Sequence, residues 1–82
     1  MITVRFFASL RERLGVDSVD VHPEGLETVD DIRKHLVRNG PEWDAALNQG
    51  RLMMAVDQAM AREDSPVRDG MEVAFFPPVT GG

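Results

Sequence analysis

Apolar and polar positions alternate strictly at the start of the chain: Ile2, Val4, Phe6 and Ala8 fall on one face of an extended segment, and Thr3, Arg5 and Phe7 on the other. This period of two predicts a strand over residues 2–8 whose first set faces the core, leaving Phe7 pointing outward beside Arg5. Ser9 follows as a candidate N-cap for a short helix through about Leu14, with Leu10 and Leu14 one turn apart on the buried side and Gly15 as the stop. Val16, Ser18, Val19 and Val21 predict a second strand, ending at the break made by His22, Pro23, Glu24 and Gly25.

At Thr28 the period becomes helical. Thr28 and Asp31 stand at capping-box spacing, Asp30 and Asp31 favour the positive end of the helix dipole, and Val29, Ile32 and Leu36, with the stem of Arg33, make the apolar stripe. Gly40 is expected to close this helix and Pro41 to open a shorter one that points Trp43, Ala46 and Leu47 inward. Asn48, Gln49 and Gly50 form a turn, residues 52–56 a third strand, Asp57 and Gln58 a hairpin turn into a short strand over 59–62, and Asp69 and Gly70 a tight turn before a last strand over 71–76. The order β, short α, β, α, short α, β, β, β predicts an α+β domain, one mixed sheet packed on one main helix.

Pro77 and Pro78 end the last strand, since neither ring can donate to a ladder, and they impose a stiff, extended lead. The expected division is a compact domain over residues 1–76 and an extended tail over 77–82. Val79, Thr80, Gly81 and Gly82 carry no charge and no large side chain. Two glycines are costly to order and pack nothing, but they pass where no Cβ would fit, so the group they deliver is the α-carboxylate of Gly82. A free carboxylate is a poor acyl donor. Adenylation converts it to a mixed anhydride that a sulfide or persulfide displaces, leaving a thiocarboxylate, and because the chain has no phosphate-binding loop the ATP chemistry belongs to another protein.

The run VAFFPPVTGG over residues 73–82 resembles the C-terminal signature of the ubiquitin-like sulfur carriers, in particular the small subunits of molybdopterin synthase (the MoaD family). The resemblance extends to Val4, Arg5, Phe6, Phe7 and Ala8, to Leu10, Arg11 and Glu12, to the Asp69-Gly70 turn, and to the order of elements over the whole chain. It implies a β-grasp fold with first and last strands as central, parallel neighbours. It also implies that Gly82 is adenylated by an E1-like (MoeB-like) enzyme and becomes a C-terminal 1-thioglycine. Val79, Thr80 and Gly81 would then lead it into the active site of a large (MoaE-like) synthase subunit, where two carriers in succession convert a cyclic pyranopterin precursor to a dithiolene. On this reading the carrier is not itself catalytic and binds no cofactor and no metal. Carriers for thiamine or tRNA thiolation also end in Gly-Gly on this fold, and a ubiquitin-like modifier or a non-covalent interaction module are readings from other classes; the Phe-Phe-Pro-Pro-Val-Thr stretch favours molybdopterin.

Both faces of the last strand hold a phenylalanine. If Phe75 completes the core with Phe6, then Phe76 and Phe7 lie outward on neighbouring strands, and Met60 on the hairpin joins them in an apolar patch that signals a partner surface. The competing reading is that these residues cover a sheet edge or lie under the tail. In the resembled family this face contacts both the large subunit and the activating enzyme, which carries a partner-binding role to Phe7, Met60 and Phe76.

With 82 residues the chain makes one small domain, burying about 60% of the surface its unfolded form exposes. Fourteen acidic against nine basic residues, a net charge of −5, disfavour nucleic acid and anionic membranes and favour basic protein surfaces. The absence of cysteine excludes disulfides and thiolate chemistry, and no apolar run approaches the ~20 residues of a membrane span, so a cytoplasmic protein is expected. His22 and His35 lie on different elements without carboxylates at ligand spacing, and the neighbours Asp30 and Asp31 diverge by about 100° on a helix, which suits capping rather than catalysis.

Overall fold

The strand Ile2–Phe6 (β1) forms because three of its five side chains, Ile2, Val4 and Phe6, can be buried together while Thr3 and Arg5 stay outside. The computed structural model describes residues 1–48 and 51–78. Its elements are β1, the helix Ser9–Leu14 (α1), the strand Ser18–Val21 (β2), the helices Val29–Val37 (α2) and Pro41–Leu47 (α3), and the strands Met53–Val56 (β3), Ala59–Met60 (β4) and Glu72–Phe76 (β5). One five-stranded sheet runs in the order β2-β1-β5-β3-β4. β1 and β5 are the parallel central pair, in register Val4 with Val73 and Phe6 with Phe75, and every other pairing is antiparallel.

The inner face of this sheet meets the helices. Ile2, Val4, Phe6, Met54, Val73 and Phe75 form one core with Leu10 of α1, Val29, Ile32 and Leu36 of α2, and Ala46 and Leu47 of α3. Phe6 lies stacked on Phe75 with ring centroids 6.4 Å apart and takes the edge of Trp43 at 5.6 Å. Among the described residues no polar or charged residue is buried, so the core bears no desolvation penalty for an uncompensated charge.

The local chemistry explains where α2 begins. Thr28 accepts from the Asp31 backbone N–H at 3.2 Å, and the Asp31 carboxylate accepts from the backbone of Thr28 at 3.1 Å and Glu27 at 2.9 Å, a full capping box. Those backbone donors hold the Asp31 carboxyl below the usual carboxylate range. Because its pKa is lower folded than unfolded, its stabilisation is complete above the unfolded value, near 4, and is lost as pH falls through the folded value. The melting midpoint is therefore expected to drop on acidification below about pH 4, and Asp31→Ala to flatten that limb in a thermal melt series; an unchanged limb would exclude the box as its source. Arg33 bonds Asp30 at 2.8 Å and also Asn48, which bonds Asp44, so polar contacts tie α2 to α3 along their exposed rim.

Several expected boundaries shift, each for a physical reason. β1 stops at Phe6, because Ala8 turns the chain out of the ladder at φ 55°, where it takes the N-cap position of α1 with no side-chain cap; Ser9 is the first helical residue and not the cap. Gly15 does close α1, left-handed at φ 74°. Gly40 does not close α2: Asn39 and Gly40 instead donate to Leu36 and Val37, tightening the end of the helix, while Gly40, at φ 143°, opens α3 by accepting from Asp44 at 3.0 Å. β4 ends at Met60 rather than Arg62, because Arg62 and Ser65 bond to each other across a turn. Asp57 and Gln58 form the expected two-residue hairpin turn, both with positive φ.

Candidate functional site

On the sheet face away from the helices, the strand register decides which side chains become neighbours. Arg5 pairs with Ala74, Ala74 with Ala55 and Ala55 with Met60, so one row crosses four strands with small residues at its centre. At strand spacings near 4.8 Å the row spans roughly 14 Å. Phe76 and Phe7 stand one pleat further along, on either side of the same strand pair, and the Phe7 N–H donates to the Phe75 carbonyl at 3.3 Å, which holds the two strand ends together. The result is a hollow of about 470 Å³ with Ala55 and Ala74 as its floor and Phe7, Phe76 and Met60 as its walls. Phe7 is 41% exposed and Met60 63%, whereas Phe76 is half-buried. Large apolar side chains are thus left open around a concave floor.

The far end of the hollow is charged. Arg5 lies with its guanidinium 5.5 Å from the centre of the Phe7 ring and 3.5 Å from the Glu72 carboxylate. Glu72 is fixed in turn by Asp57, whose backbone N–H donates to the Glu72 carbonyl at 2.8 Å and whose carboxylate accepts from the Glu72 N–H at 2.9 Å. The ion pair is exposed and contributes at most about 1 kcal/mol, so its effect is to arrange the rim.

The sequence-predicted patch residues thus converge: Phe7, Met60 and Phe76 line one hollow. Met60 owes its place to the Asp57-Gln58 turn, because a two-residue loop forces Val56 opposite Ala59 and Ala55 opposite Met60. That rule, applied to the sequence, also yields the floor residue Ala55, which sequence reasoning passed over along with the Asp57 clamp. The hollow lies at the base of the tail, since Phe76 is its wall and Pro77 and Pro78 follow directly. Val79, Thr80, Gly81 and Gly82 lie outside the described residues. Arg5 is drawn into the rim by Glu72 and Phe7.

Among the described residues no three His, Asp or Glu side chains are grouped to hold a metal ion, and no helix is long and apolar enough to cross a membrane.

Comparison with known proteins adds three findings. The model of the ThiS family matches residues 4–82. The chain is 46% identical over 82 residues to the molybdopterin synthase sulfur carrier subunit of Escherichia coli (strain K12), and 43% identical over 82 residues to that of Haemophilus influenzae, with 100% of each chain covered in both cases. Among solved structures, SAMP1 from Haloferax volcanii matches with a TM-score of 0.79 and 29% identity, covering 99% of this chain and 98% of that one.

Proposed function

The chain belongs to the ThiS family, and from that membership we propose that it is the sulfur carrier subunit of a molybdopterin synthase, working in the cytoplasm, with the C-terminal carboxylate of Gly82 as its one reacting group. The observation that carries this reading is the full-length identity of 43–46% to two proteins named as such carriers. Its fold is the ubiquitin-like β-grasp, in agreement with its likeness to SAMP1.

The proposed chemistry needs no side chain of this protein. An oxygen of the Gly82 carboxylate attacks the α-phosphorus of ATP in an E1-like partner and expels pyrophosphate. Sulfide, or the outer sulfur of a persulfide in a partner, then attacks the acyl carbon and AMP leaves with the C–O electron pair; after persulfide attack a partner thiol attacks the inner sulfur of the acyl disulfide, forming a disulfide in the partner and expelling the 1-thioglycine. The thiocarboxylate sulfur, soft and anionic, is the nucleophile delivered to a pterin precursor in a large synthase subunit, with Val79, Thr80 and Gly81 leading it in. The folded part contributes binding and aim, which keeps the reacting atom near its target at little entropic cost.

The hollow supplies that binding in this reading. Phe7→Ala and Phe76→Ala are each expected to cost about 1–3 kcal/mol of affinity for the large subunit, the scale of an aromatic anchor at an interface, with little change in the melting midpoint. Calorimetric titration checks this, and unchanged affinity in both variants would remove the hollow from the interface.

Intact mass tests the function itself. Incubated with its adenylating enzyme, ATP and a sulfur source, the chain is expected to gain the mass difference between sulfur and oxygen, and pass that sulfur to the pterin precursor. The likeness to SAMP1, a small archaeal modifier protein, favours a second reading in which Gly82 is joined to amines of other proteins. Isopeptide-linked targets with no mass gain on the free chain would support that reading instead.

A further inference from the structure

Five methionines carry all the side-chain sulfur of this chain, which has no cysteine, and the fold treats them unequally. Met54 is buried in the core, Met53 and Met71 are half-buried, and Met1 and Met60 are open to solvent at 52% and 63%. Of the two open thioethers, one lies at the hollow. Met60 stands opposite Ala55 and walls the cavity whose floor is Ala55 and Ala74, whereas Met1 is tied through its ammonium to Asp69 at the other end of β1 from Phe7. From this placement we infer that Met60 is a site of reversible oxidation whose sulfoxide releases the chain from the large subunit. The inference rests on the docking role proposed above for the hollow.

A methionine is oxidised through a lone pair on its sulfur, so an exposed thioether reacts ahead of a buried one. Hydrogen peroxide supplies the oxygen. The lone pair of the Met60 Sδ attacks one peroxide oxygen, the S–O bond forms, and the O–O bond breaks with its electron pair on the departing hydroxide. That hydroxide takes the proton from the new S–OH group and leaves as water. The sulfur has lost two electrons and the peroxide has gained them. A thiol-dependent sulfoxide reductase reverses the change, two thiols becoming one disulfide while the oxygen leaves as water.

The added oxygen has different consequences in the free and docked chains. Free in solution, Met60 is exposed and its sulfoxide is hydrated, so the fold is untouched. Docked, the oxygen is a strong acceptor on the wall of an apolar hollow. Ala55, Ala74, Phe7 and Phe76 have no side-chain donor to offer it. The Arg5 guanidinium is at the other end of the row, paired with Glu72, and Gln58 is on the exposed hairpin turn. An acceptor stripped of water without a donor in return weakens binding by roughly ten- to a hundredfold. Peroxide would thereby stop sulfur delivery at the docking step, before any chemistry at the terminus.

The test uses the full chain with its terminal carboxylate free, so that no thiocarboxylate consumes the peroxide. Dilute hydrogen peroxide should add oxygen at Met60, located by digestion and mass, and leave the melting midpoint unchanged. Calorimetric titration should then show roughly ten- to a hundredfold weaker affinity for the large subunit, restored by sulfoxide reductases acting on both epimers. Met60→Leu, which keeps the apolar wall and the other four methionines, should bind equally well before and after peroxide. Undiminished affinity of a chain oxidised at Met60, or an equal loss in peroxide-treated Met60→Leu, would overturn the inference and leave the docking role standing. Failure of the untreated chain to bind the large subunit would overturn both.

Discussion

Removal of Gly81 and Gly82 is expected to abolish sulfur loading and delivery altogether while leaving the melting midpoint unchanged. The two halves of this expectation have separate physical grounds. Among the described residues every member of the buried core lies between Ile2 and Phe75, and a glycine has no side chain to add to it. Two extended residues, however, span about 7 Å, and withdrawing a reacting carboxyl by that distance forfeits the positioning on which a partner's active site depends. A loading assay followed by intact mass reads the first effect and a thermal melt the second. Residual loading at more than trace level would place the acyl group elsewhere than at the end of the chain.

The largest effect on stability is expected one position away from Phe76, a residue proposed above to bind the large subunit. Phe75 is wholly buried, stacked on Phe6, which in turn meets Trp43, so Phe75→Ala should cost about 3–5 kcal/mol. A domain of this size holds only about 4–12 kcal/mol in total, so the variant should be largely unfolded or melt far below the parent. Phe76→Ala, on the opposite face of the same strand, should melt close to the parent. Equal losses in the two variants in a denaturant titration would mean that the alternation along β5 does not divide the core from the outer face.

That alternation was legible without any structure, and so was most of what positions the hollow. A pattern of period two placed Phe7 and Phe76 outward, and the Thr28 to Asp31 spacing announced the start of α2, because in each case the controlling forces act within a few residues. The parallel pairing of β1 with β5 was not legible from pattern, since strands about 70 residues apart in sequence are brought together by the whole core; it came through resemblance. The errors share one cause. Ser9 and Gly40 carry strong local signals for a cap and a stop, yet at both places the chain must turn sharply between elements fixed by packing, and Ala8 and the end of α2 took up that turn instead. The charged rim was missed because Arg5, Asp57 and Glu72 are ordinary surface residues in sequence, and only the register makes them neighbours.

In the proposed function the terminal carboxyl does the chemistry and the folded domain only carries it. Deletion shortens the tail as well as removing the carboxyl, so the sharper measurement keeps the length. A semisynthetic chain ending in the carboxamide of Gly82 has the same tail and the same hollow but no carboxylate to adenylate. With activating enzyme, ATP, sulfur source and large subunit, this chain should bind the large subunit undiminished, show no sulfur on the intact mass and convert no pterin precursor; conversion by the carboxamide chain at the rate of the free acid would mean that some other group carries the sulfur.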